Sequence, residues 1–268
     1  MAGFQRIAGV DEAGRGPWAG PVVAAAVILR KTPLSVRIDD SKRLTPAART
    51  SAYAAILDHA HVGIGIVCAE MIDRWNILRA TLMAMQRAIE DLPVGADLVL
   101  VDGAQTPSTS TPCWPLVHGD QRSYVIACAS IVAKVVRDRL MTFYHGLYPD
   151  YAFDQHKGYG TSLHAERLTQ WGPSFIHRRS FSPVAKALHA AGPGSHSVRR
   201  GGSWQGVRSA DRSARPSEAC HRLADFLARP ALSSLSAGHL ARSKIRTSAS
   251  AHPLASPTHE RRYTLTFL

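Results

Sequence analysis

No stretch of this sequence is apolar for long enough to cross a bilayer. The longest run, Val22–Leu29, has eight residues, where a spanning helix needs about 20. The N-terminus also lacks the apolar core of a signal peptide, so a cytoplasmic protein without a membrane partner is expected. Cysteine is scarce: Cys68, Cys113, Cys128 and Cys220 stand alone, with no Cys-x-x-Cys pair. That scatter argues against a disulfide framework and a structural zinc site, and the thiols read as free and buried. Two phosphate cradles are missing as well. There is no Gly-Lys-Ser/Thr of a P-loop, and Gly14, Gly16 and Gly20 miss the Gly-x-Gly-x-x-Gly spacing by one residue with Pro17 inside the turn.

What is present begins with charge. The 268 residues carry a formal net charge of +12, which invites a nucleic-acid reading only where its distribution supports one. Residues 192–268 hold 12 basic and 4 acidic side chains, a net +8, which leaves +4 for residues 1–191. The segment 192–268 is rich in Ser, Arg, Gly and Pro and is read as a basic, disordered tail. It could add sequence-independent attraction to phosphates or be a solvated extension.

Residues 1–191 alternate between strand and helix character without an internal repeat. Phe4–Val10, Gly20–Leu29, Val62–Val67 and residues 96–103 read as strands. Thr45 followed by Pro46 reads as an N-cap and first-turn proline, opening a helix to about Ala60. A longer helix from about Met71 to Leu92 places Ile72, Leu78, Leu82, Met85 and Ile89 on one face, and Pro93 ends it. The segment after Asp120 is apolar nearly all round, as a helix packed centrally on a sheet would be. The order predicts an α/β protein with a mixed central sheet flanked by helices.

Four acids fall at the ends of these elements. Asp11 and Glu12 follow the first strand, Asp102 ends another, and Asp120 precedes the apolar helix. Carboxylates gathered where strand ends meet helix starts suit hard cations such as Mg²⁺ or Mn²⁺, and no His/Cys set competes for the role. Each acid has a plainer reading. Asp120 could cap the following helix, and Asp102–Gly103 is a common turn pair. Strand alternation sends Asp11 and Glu12 to opposite faces, so both reach one site only if the strand breaks, for which Gly14, Gly16 and Pro17 provide.

Taken in order, "GVDEAGRGPWAGPVVAAAVIL", "DDSKRLT", "VLVDG", "GDQRSYVIACASIVAKVVRD", "FDQHKGYGT" and "HRRSFSPV" resemble the successive motifs of the ribonuclease HII family, over roughly residues 5–190. The resemblance implies a ribonuclease H-like fold with a C-terminal helical segment, a catalytic domain at 1–191, and a monomer. It implies an endonuclease that cleaves the RNA strand of RNA/DNA hybrids and nicks duplex DNA 5′ of embedded ribonucleotides, leaving 5′-phosphate and 3′-hydroxyl ends. Ribonucleotide and RNA-primer removal would be its role in DNA replication and repair.

Carried over position by position, the resemblance makes Asp11, Glu12, Asp102 and Asp120 the catalytic ligands of two Mn²⁺ or Mg²⁺ ions. It makes Gly14, Arg15 and Gly16 the turn that reads the ribose 2′-hydroxyl and its phosphates, largely through backbone. Tyr159 becomes the tyrosine stacked at the ribonucleotide junction, where the residues alone suggest a half-buried core side chain. Lys42 becomes a phosphate contact, where the residues alone suggest a surface lysine. His118 departs from the pattern, standing before Gly-Asp where a lysine is common. The first acid at residue 11 is expected to leave no room for the N-terminal domain of the sister family, ribonuclease HIII. All four acids are present, which argues against a non-catalytic binding protein on the same fold. Pairing with a sliding clamp finds no convincing motif in the tail.

Overall fold

The structure is a computed structural model and describes residues 3–30 and 32–190. The tail read at 192–268, and Cys220, lie outside the described residues. Five strands form one sheet in the order β3-β2-β1-β4-β5. β1 (Ile7–Ala13) pairs antiparallel with β2 (Val22–Leu29), which pairs antiparallel with β3 (Ala60–Val67). On its other side β1 pairs parallel with β4 (Leu98–Asp102), and β4 with β5 (Cys113–Leu116). The mixed sheet expected from the sequence is therefore present, with the hairpin half antiparallel and the crossover half parallel. β5 is invisible to local pattern, since four residues containing a proline carry almost no strand signal.

α1 (Pro46–His59) opens as read, with the Thr45 hydroxyl accepting the Ala48 amide at 3.2 Å. α2 (Ala69–Glu90) covers one face of the sheet, where even-numbered residues of β1 and β2 meet Ile72, Ala80, Ala84, Met85, Ala88 and Ile89. The predicted apolar stripe holds only in part. Asn76 takes φ 68° and its Oδ1 accepts the Leu78 and Arg79 amides at 3.0 and 3.1 Å, so the helix stops and restarts there. The restart shifts the phase and turns Leu78 outward. The close seat of α2 on β3 depends on Gly65, where any Cβ would run into the Ala84 carbonyl.

The opposite face belongs to α4 (Tyr124–Leu147), whose residues 126–133 are all buried. It starts directly over β1, where a Cβ on Gly9 would overlap the Val125 and Ile126 backbone. A short helix α3 (Gly119–Arg122) precedes it and contains Asp120, so Ser123 rather than Asp120 stands at the N-cap of the apolar helix. A 3₁₀ turn (Pro149–Tyr151) and three short α-helices, α5 (Phe153–His156), α6 (Ser162–Trp171) and α7 (Ser182–Ala190), complete the described fold, the last being the expected C-terminal helical segment. Of the cysteines Cys128 is buried as expected, whereas Cys68 is exposed because it stands at the start of α2. No helix of the described residues is long and apolar enough to cross a membrane.

Candidate active site

The parallel ladder between β1 and β4 runs from Ile7↔Leu98 to Val10↔Val101 and ends there. The next position along each strand is Asp11 and Asp102. Val10 and Val101 face α2, so alternation sends both aspartates to the α4 side. The expected break of β1 at the two acids does not occur, since pairing with β2 continues through Asp11↔Ala25, Glu12↔Ala24 and Ala13↔Val23. What ends is the ladder on the β4 side. That leaves the strand end open, and Glu12, one methylene longer than aspartate, shares the space. Carboxylate oxygens of Asp11, Glu12 and Asp102 all lie within 4.8 Å of one another.

Local hydrogen bonds fix these side chains. The Glu12 amide donates to Asp11 Oδ1 at 2.7 Å, and the Gly119 amide donates to Asp102 Oδ1 at 2.6 Å. Gly119 is so close to Asp102 and Ile126 that a side chain there would displace them. Arg15 reaches Glu12 at 3.4 Å from an exposed position. Burial first, then the charges of Glu12 and Asp102, hold the Asp11 carboxyl well above the usual aspartate range, against a hydrogen bond from Ser130. Burial also raises Glu12, with Asp102 adding to it and Arg15 opposing.

Asp120 stands at the margin of this cluster rather than within it. Burial and then the charges of Asp102 and Asp40 raise its carboxyl, while Lys42 lowers it. Lys42 is exposed, as the residues alone suggested. Its loop is tied inward: Asp40 Oδ1 accepts the Lys42 amide at 2.9 Å, and Ser41 Oγ lies 3.0 Å from Ser130 Oγ on α4. His118 takes a left-handed conformation, φ 56°, at the entry to α3.

Gly14 has φ 98°, which favours glycine, and a Cβ there would strike the Arg137 guanidinium. A Cβ on Gly16 would meet nothing within 4 Å, so the space beside this turn is open. Tyr159 is 41% exposed, which corrects the core reading. Its ring faces Lys134 Nζ at 5.7 Å and the Arg137 guanidinium carbon at 5.6 Å. Beneath it lies a chain of buried histidines that the sequence did not reveal. The Ser174 amide donates to His177 Nδ1 at 2.9 Å, so His177 Nε2 donates to His164 Nε2 at 3.0 Å, and His164 Nδ1 donates to the Tyr159 carbonyl at 2.9 Å. Burial lowers His164 to about 4 and His177 to about 3, which keeps this chain neutral. No local sequence pattern marks it, because its links join separate helices and loops.

The family model for ribonuclease HII matches residues 8–184. The chain belongs to the ribonuclease HII family. A ribonuclease HII from Chloroflexus aurantiacus is 51% identical over 192 residues, covering 69% of this chain and 91% of its own. Among solved structures, the ribonuclease H2 of Pyrococcus horikoshii OT3 has a TM-score of 0.59 at 24% identity, over 69% of this chain and 98% of that one. Bst ribonuclease HIII in complex with Mn²⁺ has a TM-score of 0.54 at 18% identity, over 72% of each chain. These two likenesses concern the fold. Membership makes this ribonuclease HII protein a ribonuclease H, an endonuclease acting on RNA/DNA hybrids.

Proposed function

We propose that this ribonuclease HII hydrolyses a phosphodiester on the 5′ side of a ribonucleotide, in hybrids and in duplex DNA with embedded ribonucleotides, leaving 5′-phosphate and 3′-hydroxyl ends. The observation that carries this reading is the convergence of Asp11, Glu12 and Asp102 within 4.8 Å beside an open, glycine-flanked turn. Three carboxylates so close repel one another, and Arg15 alone is paired with them among the described residues. The donor set is all oxygen, which fits hard divalent cations. Asp11, Glu12 and Asp102 would hold Mg²⁺ or Mn²⁺, with Asp120 completing the set from the margin. Two such ions supply activation of water and charge neutralisation at phosphorus and the leaving oxygen.

The remaining roles belong to the chain. Asp102 is held by the Gly119 amide and Asp11 by the Glu12 amide, so these two side chains are oriented before any substrate arrives. Gly14, Arg15 and Gly16 would read the 2′-hydroxyl, the group that separates RNA from DNA at one nucleotide. Tyr159 offers an exposed ring on which the junction sugar or base could rest. Lys42, exposed and close enough to Asp120 to lower its carboxyl, would contact a backbone phosphate. Removal of ribonucleotides and RNA primers from DNA is the role that fits such a cut.

A duplex carrying a single ribonucleotide should be nicked 5′ of it with Mg²⁺ or Mn²⁺ and left whole in EDTA. Asp102→Asn should lose at least about a thousandfold in rate while still binding the duplex in an anisotropy assay. Ordinary turnover in that variant would refute the metal-site assignment.

A further inference from the structure

Two arginines, Arg137 on α4 and Arg178 in the loop before α7, are fully buried, at 0% exposure. Neither has an ion-pair partner among the described residues. A buried charge without a counterion is costly unless every donor is satisfied. Here the acceptors are backbone carbonyls, nearly all from one loop. Arg178 donates to the carbonyls of Gly14, Arg15 and Gly20, the last two at 2.8 and 3.0 Å. Arg137 donates to Pro21 at 3.0 Å and Ala19 at 3.2 Å, and its third bond, at 3.0 Å, goes to the Lys157 carbonyl two residues before Tyr159. The same two segments meet directly where the Trp18 amide donates to the Gly158 carbonyl at 2.8 Å.

A trans peptide unit points its carbonyl and its amide in opposite directions. With the Gly14 and Arg15 carbonyls drawn inward onto Arg178, the amides of Arg15 and Gly16 must face outward. Neither amide has a protein acceptor among the described residues, and the space beside Gly16 is open. We propose that Arg178 and Arg137 are positioning residues for ribose discrimination, aiming the Arg15 and Gly16 amides at the substrate sugar and locking the turn to the Tyr159 segment. This rests on the reading of the Gly14–Gly16 turn given above. Burial lowers Arg178 to about 9 and Arg137 to about 10, so both stay charged at neutral pH. Two positive charges therefore lie under the turn, behind amides that face an anionic strand.

Lysine keeps that charge but replaces a planar fork of five donors with one ammonium, which cannot serve three carbonyls spread around it. Arg178→Lys and Arg137→Lys are therefore made in the full chain, and folding is checked by circular dichroism. Binding is measured in EDTA on two duplexes, one with a single ribonucleotide and one all-deoxy. The parent must first prefer the ribonucleotide duplex; absence of that preference would sink the reading of the turn itself. Given it, Kd for the ribonucleotide duplex should weaken about tenfold in the lysine variants. Kd for the all-deoxy duplex should stay within about twofold, and Mn²⁺ binding by calorimetry should be unchanged. Equal losses on both duplexes, or an unchanged preference in a folded variant, would overturn the proposal. If one variant does not fold, the other carries the test; failure of both would assign the arginines to the fold alone and overturn it too.

Discussion

Asp11, proposed above as a metal ligand, shows what a buried carboxylate costs a fold. Its neighbours raise its carboxyl well above the usual aspartate range, burial most and then Glu12 and Asp102. Between the ordinary aspartate value near 4 and that raised value, the folded chain holds a proton that the unfolded chain has lost. Metal-free stability therefore falls as pH rises through that window, and Asp11 contributes no penalty below it. Asp11→Asn removes this term while its amide oxygen can still accept the Glu12 amide. In EDTA the variant should melt with the parent near pH 4 and above it at pH 7–8, at about 2–4 °C per kcal/mol for a chain of this size. Excess Mn²⁺ should erase or reverse the gap, because only the parent keeps the full set of proposed ligands. Melting of the variant below the parent at pH 7 without metal would show that the acid is held favourably and is not strained.

At the scale of elements, the parts of the fold that follow from local pattern are legible and those set by distant contacts are not. The β2 run and the apolar α4 announce themselves through continuous burial, and Thr45–Pro46 marks a helix start by its own chemistry. Asn76 does not: its positive φ interrupts a helix whose apolar spacing looks continuous, and Leu78 is misread as core. The acids are visible, but the meeting of Asp11, Glu12 and Asp102 depends on where the β1–β4 ladder stops, which no single segment encodes. No local pattern marks the burial of Arg137 and Arg178, whose carbonyl partners are 116–164 residues away except for Lys157. Gly65 belongs to the same class. A methyl added there would overlap the Ala84 carbonyl and approach the Ala88 amide to 2.8 Å, so α2 must lift off β3. Gly65→Ala should cost about 1–3 kcal/mol in urea unfolding and leave kcat/KM at 25 °C unchanged, since the acids sit on β1 and β4. An unaltered midpoint would show that the α2–β3 seat is looser than drawn.

At the scale of the whole molecule, net charge is divided unevenly along the chain. Residues 1–191 carry only +4 and include the acidic cluster, while residues 192–268 carry +8. Duplex attraction that depends on many dispersed cations is salt-sensitive, because each phosphate neutralised releases a counterion, whereas the proposed selection of a ribose depends on short-range groups within residues 1–191. Deleting residues 192–268 should therefore separate the two. At about 150 mM salt, where exposed charges are screened beyond about 8 Å, nicking of a single-ribonucleotide duplex should remain within about twofold of the full chain. At low salt the truncated protein should bind all duplexes more weakly, with a shallower slope of log K against log salt. Its preference for the ribonucleotide over the all-deoxy duplex should not move. Loss of nicking at every salt concentration, with the truncated chain still folded, would place part of the catalytic machinery beyond residue 191 and break the division of labour argued from charge.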